Sequence, residues 1–322
     1  MPRSVLITGI TGFAGSHLAE RLVTSGVDVH GLAFVDPPYA NLAAVADRVR
    51  IHRGDINDRD AVGAALREAN AEAVVHLAGQ AVPALAAQDP VGAMRINVLG
   101  TATLLHALGD HPHARLVVAS SADVYGSDAR PPIDENAPVE PANVYAATKV
   151  ASEALVREFA ADRRAAVTIL RPVNQIGPRQ HPGLAASAFA KQIAEAEASA
   201  GTAVVRHGSL DARRDFLDVR DMAEAYALAS DLEHEGAAVF NVGTGRPVAI
   251  KELLDVLIDL ARVPIHAELD PARVRATGTA VLSLDATRFR ERTGWLPRTP
   301  LRTSLADTLE YWRARIVHGV TA

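Results

Sequence analysis

The sequence predicts an α/β protein: a doubly wound parallel sheet with a smaller, discontinuous unit from the C-terminal half beside the sheet's carboxyl edge. Three observations carry this. Short β-branched runs alternate with longer helical patterns through Leu170. The runs are apolar on both faces, as strands are when helices cover a parallel sheet on both sides, and they end too soon for buried helices. A glycine-rich turn joins the first run to the first helical pattern.

The elements follow in order. Val5-Leu6-Ile7 reads as a strand and Gly15 to Ser25 as a helix; Val27 to Leu32 and Val49 to His52 read as the next strands. A helix is expected from about Arg59 to Ala69, then strands at Ala73 to Leu77, Arg115 to Ala119 and Val167 to Leu170. After Pro172 the character changes to loops and one Ala-rich helix, Ala185 to Ala200. Val239 to Gly243 reads as a strand returning to the main sheet, followed by helices near Ile250 to Ala261 and Leu301 to Ile316. At about 150 residues per domain, a chain of 322 residues suggests two units. Residues 1–171 with about 215–245 are expected to form the first, and about 172–214 with 246–322 the second.

Composition narrows the function. Apolar residues make up 48%, which rules out a disordered chain. Lys and Arg number 33 against 38 Asp and Glu, a net charge of −5, so no electrostatic case exists for a nucleic-acid partner. With no cysteine there are no disulfides, thiolate nucleophiles or zinc-thiolate sites. No His/Asp/Glu cluster has metal-ligand spacing, so no metal is expected. No run reaches the roughly 18 uninterrupted apolar residues of a spanning helix, and the N-terminus lacks a cleavage pattern, so a soluble, cytoplasmic protein with no membrane partner is expected.

Gly9-Ile10-Thr11-Gly12-Phe13-Ala14-Gly15 lies between the first strand and first helix. The first glycine permits a tight turn, the second lets a pyrophosphate approach the backbone, and the third lets helix pack on strand. The helix N-terminus adds N–H donors and a positive dipole end. This context points to a dinucleotide and a Rossmann-type sheet. No acid stands at the end of the second strand, where Ala33 takes the place of the ribose-binding carboxylate, and no arginine adjoins it; NAD and NADP both remain open.

Tyr145-Ala146-Ala147-Thr148-Lys149 places a phenol and an ammonium on one helix face. A nearby ammonium is expected to lower the phenol's pKa and fit it for proton transfer. Ser121, at the end of the strand upstream, is the expected partner for a substrate oxygen. Asn97 is either a support near the lysine or a buried structural amide.

These motifs resemble the extended short-chain dehydrogenase/reductase family, also called the NAD-dependent epimerase/dehydratase family, over nearly the whole chain. The Gly-x-x-Gly-x-x-Gly spacing is that family's form. The resemblance implies that Asp55 and Ile56 contact adenine and that Leu77, Ala78 and Gly79 lie under the cofactor, NADP or NAD; a turn cap is the plain alternative for Asp55. It implies hydride transfer with Ser121 holding the substrate oxygen, Tyr145 moving the proton and Lys149 supporting both phenolate and nicotinamide ribose. Arg171-Pro172-Val173-Asn174 and Arg213-Arg214-Asp215-Phe216 are similar to segments through which nucleotide-sugar members hold a diphosphate, which assigns Asn174 and Arg214 to it. An ion pair with Asp215 or Asp218 is the other reading of Arg214.

Within the family the likeness is to members acting on GDP-mannose derivatives, which implies a GDP-linked substrate and a reach to it by Lys191 and Arg275. C4-ketone reduction of GDP-4-keto-6-deoxy-D-mannose is the leading expectation. Asp123 stands where 4,6-dehydratases carry a glutamate, one methylene longer, so dehydration and 4-epimerisation are rivals. A non-catalytic dinucleotide sensor is disfavoured because both Tyr145 and Lys149 are present. The family also pairs the Tyr145 helix with the one around Val91 to Gly109 in a homodimer.

Overall fold

The computed structural model describes residues 1–111, 113–199, 203–274 and 281–317. Seven strands form one wholly parallel sheet: β1 (Ser4–Thr8), β2 (Asp28–Ala33), β3 (Val49–Arg53), β4 (Ala73–His76), β5 (Arg115–Ala119), β6 (Val167–Pro172) and β7 (Ala237–Val242). Their spatial order is β7-β6-β5-β4-β1-β2-β3. The chain winds outward in both directions from β1, and such a switch point opens a ligand crevice at the carboxyl ends of the strands.

Strand alternation supplies two cores. Val5 and Ile7 of β1 and Ala73 and Val75 of β4 join one buried cluster, while Leu6 and Val74 join the other. Helix α1 (Phe13–Thr24) packs on the first face, and α2 (Arg59–Ala69) and α3 (Pro90–Leu108) on the second. By length and composition α3 is apolar enough to cross a membrane. Here Leu104, Leu105 and Leu108 are spent on the second core. Helix α4 (Val144–Arg163) lies alongside α3 and adds Val156 and Ala160 to the same core. A π-turn interrupts α3 at Arg95–Leu99.

A third cluster lies apart from the sheet. It joins Ile176, from the short strand Asn174–Ile176, to Phe189, Leu253, Leu257, Leu305, Leu309 and Trp312 from α5 (Ala185–Ala198), α7 (Ile250–Asp259) and α8 (Leu301–Val317). Between α5 and α7 runs α6 (Val219–Ala229), which packs on α1. Sequence reading passed over α6, although Asp218 caps it by accepting from Arg220 N–H at 2.8 Å and Val219, Met222, Ala223 and Tyr226 repeat at helical spacing. Short strands tie this region together: Asn174–Ile176 pairs with Phe216–Asp218, and Val204–His207 with His266–Leu269. Helix α1 begins at Phe13, two residues before the expected Gly15, because Gly12 is its N-cap.

Candidate active site

The carboxyl ends of β1, β4 and β5 line a cleft. One part is lined by Gly9, Gly12, Phe13, Ala14, Gly15, Leu77, Gly79, Ser121, Asp123, Tyr145, Lys149 and Asn174. The other is lined by Gly9, Thr11, Gly12, Asp55, Ile56, Leu77, Ala78 and Gly79. The shared residues make the two continuous. Every residue expected to meet the cofactor therefore lines one groove.

The groove fits a dinucleotide. A Cβ on Gly9 would sit 2.8 Å from Ala78 N, and one on Gly15 would sit 2.3 Å from Gly9 O, so both glycines serve close backbone packing. Gly12 is different: a Cβ there would meet only Gly9 O, at 3.2 Å, and the residue lines both parts of the groove. It caps α1, whose first N–H groups have no intrahelical acceptors and suit an anion. Gly15→Val is expected to abolish NAD(P)H binding, read by fluorescence titration, because its Cβ has only backbone to displace. Asp55 lines the groove, and it also makes the turn bonds of the plain alternative: its Oδ1 accepts from Asn57 N at 2.9 Å and Nδ2 at 3.0 Å. After β2, Asp36 is paired with Arg53.

The structure corrects one electrostatic expectation. The Tyr145 phenol is not lowered. Burial and the Asp123 charge push its pKa well above the ordinary value, against a hydrogen bond with Ser121. The lysine does not offset this: Lys149 Nζ lies 5.8 Å from the ring centroid and donates to Ala119 O at 2.7 Å. Burial lowers Lys149 to about 8, with Glu153 pulling the other way. Burial raises Asp123 as well, while Arg214 opposes the shift.

The expected diphosphate residues fall in different places. Asn174 lines the cleft. Arg214 has an electrostatic hold on Asp123 and donates to Arg213 O at 2.9 Å. Its suspected ion-pair partners are engaged elsewhere: Asp215 accepts from Thr244 and Gly245, and Asp218 from Arg220 and Ser304. Lys191 is not in the cleft lining; it sits over the Trp312 ring at 5.5 Å and 3.8 Å from Glu195. Arg275 lies outside the described residues.

Two buried networks lie behind Tyr145 and Lys149, and their partners are distant in sequence. In the first, Thr8 Oγ1 accepts from Leu77 and Ala78 N–H, both at 3.2 Å. Its own proton therefore goes to His76 Nδ1, at 2.7 Å. This fixes the proton of His76 on Nε2, which donates to Thr101 Oγ1 at 3.0 Å; Thr101 donates in turn to Asn97 O at 2.6 Å. Asn97 sits in the π-turn of α3. Its Oδ1 accepts from Gln80 N–H at 2.7 Å, and its Nδ2 donates to Thr148 Oγ1 at 2.8 Å. The chain links the floor under Gly79 to the helix bearing Tyr145, so Asn97 is a buried structural amide that positions both.

Burial, with the Lys149 charge, lowers His76 to about 3. The unfolded chain, with an ordinary histidine near 6.5, binds a proton that the folded protein refuses between those values. Stability is therefore expected to fall on acidification from pH 7 to pH 5, by about 2 kcal/mol from this group. Denaturant unfolding at the two pH values measures the fall, and His76→Gln flattens it.

In the second network, Glu153 accepts from Arg171 through Nε at 2.8 Å and Nη2 at 2.6 Å, and from Ser120 Oγ at 2.5 Å. Arg171 Nη1 also donates to Tyr125 Oη at 3.0 Å, and Tyr125 donates to Asn241 Oδ1 at 2.7 Å. The network ties the end of β5, helix α4 and the end of β6. Burial alone would raise Glu153, but the Arg171 contacts hold its carboxyl below the usual range.

Comparison with known proteins agrees with this architecture. Residues 6–308 match the family model described as GDP-mannose 4,6 dehydratase. The chain is 34% identical over 320 residues to GDP-6-deoxy-D-mannose reductase of Pseudomonas aeruginosa, covering 98% of this chain and 99% of that one. It is 33% identical over 312 residues to UDP-glucose 4-epimerase of Mycolicibacterium smegmatis, covering 96% and 98%. The structure of RMD from Pseudomonas aeruginosa complexed with NADPH aligns with a TM-score of 0.81 at 30% identity, over 97% of this chain and 99% of that one. The chain belongs to the GDP-mannose 4,6-dehydratase family, a branch of the extended short-chain dehydrogenases/reductases whose members include nucleotide-sugar reductases, epimerases and dehydratases.

Proposed function

We propose that the protein is an NAD(P)H-dependent reductase of a nucleotide-linked 4-keto sugar, with GDP-4-keto-6-deoxy-D-mannose as the preferred substrate. The observation that carries this reading is a buried Tyr145 phenol in one groove with Ser121, Lys149 and the glycine turn. A ketone reduction needs a proton donor at the oxygen, and this phenol is kept in the donating form. The P. aeruginosa reductase, similar along its whole length, supports the substrate.

In this reading the bound dihydronicotinamide supplies a hydride. Ser121 and Tyr145 hold the ketone oxygen by hydrogen bonds. As negative charge develops there, the substrate oxygen becomes a stronger base than the phenolate, and Tyr145 gives up its proton to it. Lys149, anchored on Ala119 O and lining the same groove, holds the nicotinamide ribose. Asn174 and Arg214 hold the diphosphate. The glycine turn with residues 1–171 and about 215–245 forms the cofactor unit, and the remainder forms the sugar-nucleotide unit.

Asp123 favours a second reading, 4,6-dehydration: it is a half-buried carboxyl lining the cleft, its pKa raised by desolvation, and its charge acts on Tyr145. One experiment separates the readings. The protein is mixed with GDP-mannose and NAD(P)⁺, and separately with its 4-keto-6-deoxy derivative and NADPH or NADH. Cofactor oxidation with the keto sugar supports reduction. Loss of water from GDP-mannose supports dehydration. Epimerised product from a nucleotide sugar with no net cofactor change supports a 4-epimerase. No reaction with any nucleotide sugar ends the reading.

We also propose a homodimer in the cytoplasm. Val91, Met94 and Leu99 of α3 are 71%, 53% and 58% exposed, an apolar surface on a helix adjoining α4. Light scattering is expected to give twice the chain mass, and Leu99→Glu to give the monomer.

A further inference from the structure

We propose that the protein takes NADH in preference to NADPH, and that Phe34 and Asp36, on the loop after β2, set the preference. The inference rests on the cofactor groove of the function proposed above and deepens it. In a doubly wound sheet the adenosine ribose lies at the end of the second strand, where an added 2′-phosphate needs a basic side chain. Here the groove is lined at that place by Phe34 and Val35, which are apolar and yet 75% and 50% exposed. Neither side chain offers a hydrogen bond. A neutral ribose hydroxyl tolerates such a wall, because at an open rim it keeps its water. A phosphate finds no counter-charge there.

Charge points the same way. Arg53 ends β3 and pairs in register with Ala33, the last residue of β2, so its guanidinium is the sheet's nearest cation to that place. It is already paired with Asp36. Farther along the same segment, Asn41 Nδ2 donates to Thr11 O of the glycine turn at 2.9 Å and fixes the loop against the groove. In the lining of this part, among the described residues, Arg95 is the one guanidinium, against the carboxylates of Asp55 and Asp89. A phosphate monoester carries about −1.5 to −2 charges at neutral pH, and it would enter an opening in which carboxylates outnumber cations. The preference sets this chain apart from the P. aeruginosa structure that holds NADPH.

The test titrates NADH and NADPH, by their own fluorescence, into wild type, Phe34→Arg and Asp36→Asn, with melting temperatures compared. Wild type is expected to bind NADH about tenfold more tightly than NADPH. Asp36→Asn frees Arg53, and Phe34→Arg puts a guanidinium into the opening. Each is expected to tighten NADPH about tenfold and to leave NADH within about threefold. Both side chains are exposed, so neither change takes packing from a core. Wild type that binds NADPH as tightly as NADH, or more tightly, overturns the inference, and loss of that binding in Arg95→Gln would move the phosphate to Arg95. Variants that leave the ratio unchanged overturn the roles of Phe34 and Asp36. These outcomes leave the proposed function standing, whereas wild type that binds neither cofactor overturns the function itself.

Discussion

Tyr145→Phe is expected to lower kcat by about a thousandfold or more, with NAD(P)H affinity unchanged. The ring still fills its site at 8% exposure, and only the donating hydroxyl is gone. Positioned acid–base groups supply about 10²- to 10⁴-fold, and in the proposed mechanism this one also shares the hold on the ketone oxygen with Ser121. Pre-steady-state mixing with the keto sugar separates the loss from any change in binding. Turnover at the wild-type rate would mean that another group delivers the proton, and Asp123 would be the candidate.

Arg171→Met is expected to have the largest effect on stability. The side chains of Arg171 and Glu153 are 3% and 5% exposed, so the variant leaves a carboxylate buried without its counter-charge. Breaking such a pair costs about 3–5 kcal/mol, whereas replacing both partners with apolar residues is often neutral. Glu153→Leu combined with Arg171→Met is therefore expected to recover much of the loss in denaturant unfolding. The pH dependence has a definite sign. Arg171 holds the wild-type carboxyl below its unfolded pKa, so that stability is present above the unfolded value and lost as pH falls through the folded one. In Arg171→Met the carboxyl is raised instead and takes up a proton on acidification. The gap between variant and wild type should then narrow as pH falls below about 5. A gap independent of pH would place the cost in packing rather than charge.

What the sequence revealed was local. The glycine turn, the Tyr145–Lys149 spacing and the strand ending at Ser121 are each contained within a few residues, and the strand series alone predicts the sheet. What it concealed was assembled by strand register. His76 meets Thr8 because β1 and β4 pair with those two residues side by side, although 68 positions separate them. Glu153 finds Arg171 only once α4 lies against β5 and β6. A clue existed: Arg171 ends the apolar run from Val167, and a charge at such a place needs a buried partner. The expected effect of Lys149 on Tyr145 failed for a related reason. Spacing on a helix gives proximity, but the sign of the shift came from burial and from Asp123, a residue on another element.

In the proposed reaction, hydride passes to the sugar's C4 while Tyr145 protonates the oxygen. This is tested most directly by offering GDP-4-keto-6-deoxy-D-mannose with dihydronicotinamide cofactor deuterated at its reactive carbon. The account predicts a product carrying deuterium at C4, formed by wild type and not by Tyr145→Phe. An unlabelled product, or label left wholly on the cofactor while the sugar is transformed, would contradict it.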